Sequence, residues 1–316
     1  MSDNDISNKS KIKFLSFDID NTLIDFKTHK TNFNKVWKKH KSNRSPLLSY
    51  NTGRLIDDVL VLIDNETLPK PDYIIGGVGT LIYDYKNRSI VKEFNDILDE
   101  GWDIPSVEEV IQRLDHPISE QPNKYQHAYK RSYFLHNATE GLLAQIEKDF
   151  ADASMHINVV YSGEQYLDIL PKWANKGNAL QWLLKQLNID SEETLVAGDS
   201  GNDSAMFNMK NIKGIVVANA HEELYKFTKH RQIYHSESIH GDGVIEGLVY
   251  YGILPKEALI DNSQDHTDDF FIQRELYHVA NEDKDEKIAL IEEGYYKAIE
   301  ALKRNITPKG FSAFSI

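Results

Sequence analysis

Short apolar runs that end in polar or glycine-bearing turns alternate with helical patterns through much of this 316-residue chain. The runs have the length and composition of buried β-strands and lie at residues 12–17, 46–50, 73–76, 194–197 and 214–218. The helical patterns between them lie at residues 56–63, 177–187 and 204–209. This alternation predicts an α/β fold with a doubly wound, mostly parallel sheet covered by helices on both faces. Ligands bind beyond the carboxyl ends of the strands in such sheets.

The pattern changes in the middle of the chain, where helical segments are interleaved with three strand-like runs, at residues 129–135, 157–161 and 165–170. We interpret this stretch as a second α/β module inserted into the first. The last part of the chain contains an amphipathic helical pattern with its apolar stripe at Ile288, Ile291, Tyr295, Ile299 and Leu302. The predicted organisation is a core of residues 1–84 and 172–255, an inserted module of residues 85–171 and a C-terminal helical extension of residues 256–316.

The composition limits the classes of partner and compartment. A formal net charge of -13 would repel a nucleic-acid backbone, and no apolar run reaches the length of a membrane span. Cysteine is absent, which excludes disulfides, thiolate metal sites and a cysteine nucleophile. We therefore expect a cytoplasmic protein without a nucleic-acid or membrane partner. The sequence leaves the oligomeric state open.

The first chemically informative segment is residues 18–22, which follow the first predicted strand. Asp18 and Asp20 are one residue apart, so a turn in the backbone would direct both carboxylates into a cleft. A carboxylate is ionised at pH 7, so Asp18 needs no separate base to act as a nucleophile towards phosphorus. Asp20 would then protonate the leaving group and later activate water. Taken alone, the same segment is equally well explained as a helix cap after a strand.

A second acidic cluster, residues 198–203, follows another predicted strand. Its carboxylates suit a hard cation such as Mg²⁺, which prefers oxygen ligands. Asp18 and Asp199 are the candidate ligands, because both follow strands whose carboxyl ends meet at one edge of the sheet. A glycine-rich turn without a metal is the alternative for this cluster taken alone.

Two further segments place phosphate-binding groups near helix starts. Thr52 and Gly53, followed by Arg54, offer a hydroxyl and backbone N–H groups where a strand gives way to a helix. Lys176 lies at the start of another predicted helix, where its ammonium would neutralise both a carboxylate nucleophile and a phosphate. A lysine at such a position is more often a solvated surface charge, so its order relative to the other motifs decides the interpretation.

Taken in order, these motifs resemble those of the haloacid dehalogenase superfamily of phosphohydrolases. Residues 18–22 match the first motif, Thr52 the second, Lys176 the third and residues 198–203 the fourth, in its GDxxND form. The resemblance implies a Rossmann-like core, Mg²⁺ as cofactor and an aspartyl-phosphate intermediate.

The resemblance also implies the role of each acidic residue. Asp18 would be the nucleophile and a metal ligand, and Asp20 the acid and base that binds metal through its backbone carbonyl. Asp199 would complete the protein ligands of the metal. Asn202 and Asp203, with Arg54, would support the metal and the phosphate. Members that cleave carbon–halogen bonds lack the second aspartate of the first motif, so Asp20 favours a phosphate substrate.

The inserted module lies between the second and third motifs, as the α/β cap does in the subgroup that includes sucrose-phosphate phosphatase. The strings at residues 129–133 and 167–171 resemble the same subgroup. Leu81 stands where sucrose-phosphate phosphatases usually carry a glutamate, so sucrose 6-phosphate is one candidate among related sugar and amino-sugar phosphates. Cap residues select the leaving group in this family, and the candidate sugar contacts are Gln121, Lys130, Ser132 and Asp168.

The function predicted from these observations is the Mg²⁺-dependent hydrolysis of a sugar phosphate monoester. A sugar phosphomutase is an alternative, because it shares the aspartyl-phosphate and differs in excluding water. A non-catalytic protein that binds sugar phosphates is another. The presence of Asp18, Asp20, Lys176 and Asp199 together argues against it.

Overall fold

The computed structural model describes residues 12–26, 28–162 and 165–263. The contacts divide the chain into one unit of residues 1–262 and another of residues 263–316. The helical stripe predicted at residues 288–302 lies outside the described residues. The unit of residues 1–262 contains two β-sheets.

Twelve strands and ten α-helices form the described part of the chain. The strands are β1 (Phe14–Phe17), β2 (Leu47–Asn51), β3 (Tyr73–Gly76), β4 (Leu81–Asp84), β5 (Ser89–Ile90), β6 (Ser119–Glu120), β7 (Arg131–Phe134), β8 (Ile157–Ser162), β9 (Tyr166–Pro171), β10 (Thr194–Gly198), β11 (Lys213–Val216) and β12 (Tyr234–His235). The helices are α1 (Phe33–His40), α2 (Ile56–Asp64), α3 (Asn95–Leu98), α4 (Ile104–Arg113), α5 (Glu140–Asp152), α6 (Lys176–Leu187), α7 (Ser204–Phe207), α8 (Glu222–Thr228), α9 (His240–Tyr250) and α10 (Glu257–Ser263).

The larger sheet has the strand order β12-β11-β10-β1-β2-β3-β4-β5. Strands β12 to β3 pair in parallel, and β4 and β5 continue the sheet in antiparallel pairs. β1 lies between β10 and β2, and all four of its residues are buried. Apolar residues of α1, α2 and α9 form one core cluster, and those of α6, α7 and α8 form a second. The predicted doubly wound, mostly parallel sheet is confirmed.

The smaller sheet is antiparallel, with the order β6-β7-β9-β8. One of its faces packs on α4 and α5, where Tyr133, Leu167 and Ile169 join a third apolar cluster. Because side chains alternate along a strand, the residues between these lie on the opposite face, which we call the open face. Its residues on the central strands are Ser132, Phe134, Tyr166 and Asp168.

The inner end of the open face adjoins the larger sheet. Leu170 of β9 and Val160 of β8 pack in the second core cluster, together with Val78 and Ala174. Asn158 of β8 also donates from its side-chain amide to the Ala174 carbonyl at 2.6 Å. The two sheets are therefore in direct contact where the chain leaves β9 for α6.

No helix within the described residues is both long and apolar enough to cross a membrane.

Candidate active site

Asp18 lies directly after β1, at the carboxyl edge of the larger sheet. Its backbone N–H donates to the Ala197 carbonyl at 3.0 Å, which extends the pairing of β1 with β10 by one residue. The side chain is buried; Oδ1 accepts from Lys176 Nζ at 2.7 Å and Oδ2 from the Thr22 hydroxyl at 3.2 Å. The strand and these two donors hold the Asp18 carboxylate in one orientation.

Lys176 is the first residue of α6 and is fully buried. Asn175 fixes the start of this helix, because its side chain accepts from the Asn178 N–H at 2.8 Å. The Lys176 ammonium donates to Asp18 and to Asp203, each at 2.7 Å. Burial alone would lower the pKa of Lys176, but the two carboxylates outweigh it and raise the pKa above its ordinary value. The ammonium is therefore a fixed positive charge beside Asp18.

Asp199 and Asp203 come from the turn that follows β10. Asp203 folds back on this turn, and its Oδ2 accepts from the backbone N–H groups of Asp199 and Ser200 at 3.0 and 3.1 Å. Its other oxygen accepts from Lys176. Asp203 thus joins the turn after β10 to the start of α6. Support of the metal and the phosphate by Asp203 stays a prediction.

The side chains of Asp18, Asp199 and Asp203 bring one carboxylate oxygen each within 4.8 Å of one another, and all three residues are buried. Burial is the main cause that raises the pKa of Asp18 to about 7, and it raises the pKa of Asp199 well above its usual range. Charge repulsion within the cluster adds to both shifts. These three buried carboxylates contact a single lysine, so the cluster has less positive than negative charge when they are ionised. Such an environment suits a cation.

The donor set fits Mg²⁺, because all of its atoms are hard oxygens. Asp203 already accepts from Lys176 and from two backbone N–H groups, which leaves Asp18 and Asp199 as the better placed ligands. The sequence predicts both as metal ligands, and this role stays a prediction. A metal contact through the backbone carbonyl of Asp20 also stays a prediction.

Asp20 is paired with Arg54 in a two-bond ion pair. The guanidinium donates from Nε to Oδ2 at 2.8 Å and from the terminal nitrogen to Oδ1 at 2.6 Å. Both side chains are mostly buried, at 18% exposed for Arg54 and 24% for Asp20. The sequence predicts both residues at the site, but not this pair. Each oxygen of the predicted acid and base thus accepts a hydrogen bond in this state.

The predicted phosphate-binding residues lie on the turns around this edge of the sheet. Thr52 is buried after β2, and its Oγ1 accepts from the Arg54 N–H at 3.2 Å. The hydroxyl hydrogen is then directed away from that N–H. Gly53 is exposed in the same turn. Asn202 is half-buried, and its side-chain oxygen accepts from the Ser200 hydroxyl at 3.2 Å. Phosphate binding by these residues stays a prediction.

The turn after β3 connects the larger sheet to the inserted segment through a histidine. Tyr129 N–H donates to His127 Nδ1 at 3.2 Å, so the ring hydrogen lies on Nε2 and faces the Thr80 oxygen at 3.1 Å. The Thr80 hydroxyl in turn donates to the Gly77 carbonyl at 2.9 Å. Burial, with the charges of Lys130 and its neighbour, lowers the pKa of His127 to about 4. No local pattern in the sequence indicates this histidine.

The four candidate sugar contacts fall into two groups in the smaller sheet. Lys130 and Asp168 make a buried ion pair at 2.8 Å, and the Ser132 hydroxyl donates to the other oxygen of Asp168 at 2.6 Å. Gln121 is instead used within the sheet, since its amide donates to the Tyr133 carbonyl at 2.9 Å. The structure thus brings Lys130, Ser132 and Asp168 together and places Gln121 in a supporting position.

Two residues that were not predicted as site residues also contact the buried carboxylates and Lys176. The Thr22 hydroxyl lies between the carboxylates of Asp18 and Asp199, at 3.2 and 3.1 Å. Asn51, the last residue of β2, donates from its amide to the Lys176 carbonyl at 2.9 Å. Thr22 belongs to the first motif, so the sequence contained a signal for it. Asn51 had no signal beyond its place at a strand end.

The turn that carries Asp20 is held from its other side by Asn219 and His240. The amide of Asn219 donates to the Asn21 carbonyl at 2.8 Å, and His240 Nδ1 lies 3.0 Å from the same oxygen. Asn21 has a left-handed backbone with φ 57°, which asparagine tolerates better than most residues. These contacts join residues 198 and 219 positions apart, so no local pattern indicates them.

Comparison with known families agrees with this geometry. Residues 11–252 match the family described as sucrose-6F-phosphate phosphohydrolase. The chain belongs to this family. The membership of this phosphohydrolase family confirms the predicted haloacid dehalogenase resemblance and the predicted enzyme class, a phosphoric monoester hydrolase.

Individual relatives of the family differ in the substrate that their names give. The mannosylfructose-phosphate phosphatase of Agrobacterium fabrum is 40% identical over 246 residues, which cover 78% of this chain and 99% of that protein. A probable sucrose-phosphatase, 3a, of Arabidopsis thaliana is 32% identical over 75% of this chain and 59% of its own length.

A solved structure of the sucrose-phosphatase from Synechocystis sp. PCC6803, in complex with sucrose and phosphate, has a TM-score of 0.68 to this chain. It is 27% identical, and the similarity covers 77% of this chain and 99% of that one. The fold of this chain is therefore similar to that of this sucrose-phosphatase over most of its length.

Proposed function

We propose that this chain is a Mg²⁺-dependent phosphatase that hydrolyses a sugar phosphate monoester through an aspartyl-phosphate on Asp18. The observation that supports this most directly is the buried Asp18 carboxylate, held by Lys176 at 2.7 Å with Asp199 close by. This arrangement supports the proposal, because it combines a carboxylate that can attack phosphorus, a fixed positive charge and a set of oxygens that fits a cation, all at one edge of the sheet. The relatives named for sugar phosphates support the substrate class.

In the first half of the reaction, an Asp18 carboxylate oxygen attacks phosphorus and the bond from phosphorus to the sugar oxygen breaks. The electron pair of that bond goes to the sugar oxygen, which takes a proton from Asp20. Lys176 holds its positive charge beside the attacking carboxylate and the phosphate. The Thr52 hydroxyl donates to a phosphate oxygen, which positions the group for in-line attack.

In the second half, Asp20 removes a proton from water, and the water oxygen attacks the phosphorus of the aspartyl-phosphate. The bond between phosphorus and the Asp18 oxygen breaks, which releases inorganic phosphate and restores the carboxylate. The ion pair with Arg54 must open or lengthen during the cycle, because both Asp20 oxygens accept from the guanidinium in this state.

Asp18 and Asp199 would hold the Mg²⁺. The ion supplies charge neutralisation that allows a phosphate dianion to approach buried carboxylates. Asp203 would keep the turn that carries Asp199 in place through its two backbone hydrogen bonds.

The test is the release of inorganic phosphate from a panel of esters, with Mg²⁺ and with EDTA. The panel contains mannosylfructose phosphate, sucrose 6F-phosphate, glucose 6-phosphate and an amino-sugar phosphate. We expect Mg²⁺-dependent release from at least one sugar ester. We expect at least about a thousandfold loss in Asp18→Asn, because an amide is nearly isosteric with a carboxylate and is a poor nucleophile.

Asp84→Asn is the matched control, because Asp84 lies at the end of β4 and contacts Asn87 rather than the site. It should retain the activity of the wild type. Turnover by Asp18→Asn at the wild-type rate would reject the mechanism. Transfer of phosphate to a second sugar hydroxyl in place of water would identify a mutase.

A further inference from the structure

The start of α9 lies against the turn that carries Asp20. His240 is the first residue of this helix and has a left-handed backbone, with φ 48°. A Cβ on the next residue, Gly241, would lie 2.7 Å from the Leu23 carbonyl oxygen. A side chain at residue 241 would therefore push the helix away from the turn. The proposed chemistry gives this close contact no role.

The His240 ring spans the loop that follows β1. Its Nδ1 lies 3.0 Å from the Asn21 carbonyl oxygen. A carbonyl oxygen can only accept, so Nδ1 carries a hydrogen and donates it to Asn21. Nε2 lies 3.6 Å from a carboxylate oxygen of Asp25, and the His240 side chain is only 19% exposed. The ring is thus held between two residues of one loop.

Asn219, in the segment after β11, joins this loop to the start of α9 with both ends of its amide. The side-chain nitrogen donates to the Asn21 carbonyl at 2.8 Å, so this oxygen accepts from Asn219 as well as from His240. The side-chain oxygen accepts from the His240 backbone N–H at 2.9 Å. Asn219 and His240 therefore hold each other as well as the turn after β1.

The segment that leads into His240 is fixed by Glu246, a residue of α9 itself. The Glu246 carboxylate accepts from the hydroxyls of Tyr234 and Ser236, at 2.5 and 3.0 Å. It also accepts from the Ser238 N–H at 3.0 Å. These bonds tie residues 234–238 to the middle of the helix, so His240 approaches the turn from a rigid support.

The two peptide groups that follow Asp20 are both held. The Asn21 N–H donates to the Ile24 carbonyl at 2.8 Å, and the Asn21 carbonyl accepts from Asn219 and His240. Because a peptide group is planar and trans, the Asp20 carbonyl points in the direction opposite to the Asn21 N–H. The orientation of Asn21 therefore sets the direction of the carbonyl that is predicted to contact the metal.

We propose that His240 and Asn219 are positioning residues for Mg²⁺ binding and for the acid and base role of Asp20, an inference that rests on the proposed function. Both act through the Asn21 carbonyl and contact neither metal nor substrate. Without them the Asn21 peptide groups rotate, which turns the Asp20 carbonyl from the metal and moves the Asp20 side chain from the leaving group. Partners of this kind contribute to metal affinity because they orient the ligands.

The first test measures Mg²⁺ affinity without substrate, by calorimetric titration of the full chain after removal of bound metal with EDTA. His240→Asn keeps an N–H donor at the position of Nδ1, and asparagine tolerates a positive φ. His240→Gln keeps a donor only at the position of Nε2, which does not face Asn21. We expect His240→Gln and Asn219→Leu to bind Mg²⁺ at least about tenfold more weakly and His240→Asn to stay within about threefold of the wild type.

The second test compares kcat on the best sugar ester with kcat on p-nitrophenyl phosphate. His240→Gln and Asn219→Leu should lose at least about tenfold more on the sugar ester, whose leaving group needs a proton. His230→Leu is the control, because His230 is exposed in the turn after α8, and it should match the wild type in both tests.

Melting temperatures separate positioning from folding. A role in folding alone would lower the melting temperature of His240→Gln and Asn219→Leu and leave Mg²⁺ affinity and the ratio of the two esters unchanged, which would overturn the proposal. Equal Mg²⁺ affinities of His240→Asn and His240→Gln would overturn it too.

The outcome for this inference is distinguishable from that for the proposed function. If the wild type hydrolyses no ester while His240→Gln weakens Mg²⁺ binding and His240→Asn does not, the phosphatase assignment fails and the positioning of the metal stands. If the wild type is a Mg²⁺-dependent phosphatase and all variants behave as the wild type, only the positioning role fails. A wild type that binds no Mg²⁺ would reject both.

Discussion

The ion pair of Asp20 and Arg54 engages both oxygens of the predicted acid and base. A guanidinium that donates to both oxygens of a carboxylate is a strong and directional partner, and this pair is mostly shielded from water. The guanidinium engages both oxygens of Asp20 until the pair opens. Arg54 therefore influences whether Asp20 is free to contact a substrate or a water molecule.

This pair leads to a prediction about leaving groups. Asp20→Asn should lower kcat on a sugar phosphate about a hundredfold and much less on p-nitrophenyl phosphate, whose leaving group needs no proton. Arg54→Met should show the same preference for the activated ester. The double variant should be no worse than Asp20→Asn alone, because the two residues act as one unit.

The exposed Arg44, in the loop before β2, provides the matched control, and Arg44→Met should behave as the wild type. Steady-state rates are measured on both esters for the wild type, the two single variants, the double variant and the control. Additive losses that are the same for the two esters would show that Arg54 serves folding alone.

Among the elements, the start of α6 depends on a close backbone contact with another turn. Gly79 lies in the turn after β3 with φ 85°, and a Cβ there would be 2.3 Å from the Asn175 carbonyl oxygen. The turn can approach the residue before Lys176 only because this side chain is absent. The position of the Lys176 ammonium thus depends on a backbone contact between two separate turns.

Gly79→Ala tests this contact. We expect it to lower the melting temperature strongly and to abolish phosphate release, because Asn175 and Lys176 must shift. Gly101→Ala is the matched control, since Gly101 also has a positive φ, 72°, but no atom of the described residues lies within 4 Å of its Cβ position. It should cost about 1 kcal/mol and retain activity. Equal effects of the two variants would contradict the role given to the contact.

The contact between His127 and Thr80 predicts a dependence of stability on pH. The folded pKa of His127 is lowered from 6.5 to about 4, mainly by burial. Between these values the unfolded chain binds a proton that the folded protein does not, so stability is lost as the pH falls from about 6.5 to about 4. The loss assigned to this residue is on the order of 3 kcal/mol.

Urea denaturation of the wild type and of His127→Gln, at a series of pH values, measures this contribution. The glutamine keeps an N–H donor for Thr80 and has no charge to gain. The wild type should lose more stability than the variant on acidification, and the two should run parallel above pH 7. Parallel curves over the whole range would show that the imidazole is not held neutral.

The elements of the fold were largely predictable from local patterns, with some clear exceptions. β3 was predicted with its observed bounds, and α6 differs by one residue, because buried strands and a well-capped amphipathic helix have strong local signals. α9 was not predicted. It contains Gly247, whose missing Cβ would lie 2.5 Å from Ile215, so the glycine that lowers helix propensity also permits close packing on β11.

The site was predictable to the extent that its residues fall in local motifs. Asp18, Lys176 and Asp199 were identified from strand and helix ends, and the structure brings them together. The pairing of Asp20 with Arg54 and of Thr80 with His127 was not predicted. These partners are 34 and 47 positions apart in the sequence. Their contacts depend on tertiary packing, which local sequence patterns do not indicate.

At the scale of the whole molecule, we expect stability to depend on the proposed binding of Mg²⁺. The buried carboxylates of Asp18 and Asp199 repel each other, and burial raises the pKa of both. A cation that binds only the folded state stabilises it by mass action, by about 2.7 kcal/mol at a concentration of one hundred times Kd. Mg²⁺ should therefore raise the melting temperature by several degrees.

Asp199→Asn should reverse this behaviour. The variant should melt at a higher temperature than the wild type in EDTA, because one of the repelling carboxylates is gone, and Mg²⁺ should raise its melting temperature little. The exposed Asp115 provides the control, and Asp115→Asn should respond to Mg²⁺ as the wild type does. A full Mg²⁺ response in Asp199→Asn would exclude Asp199 as a ligand.

The short connection between the two sheets has a consequence for protein engineering. β9 ends at Pro171 and α6 begins at Lys176, with Ala174 buried between them and bonded to β8. If the smaller sheet selects the ester, as the sequence predicts, we expect a chimera that exchanges it for that of a relative to recognise a different ester. We expect it to keep its catalytic rate only if the graft preserves the length and the anchoring of residues 172–175, because this junction leads into Lys176, whose ammonium contacts Asp18.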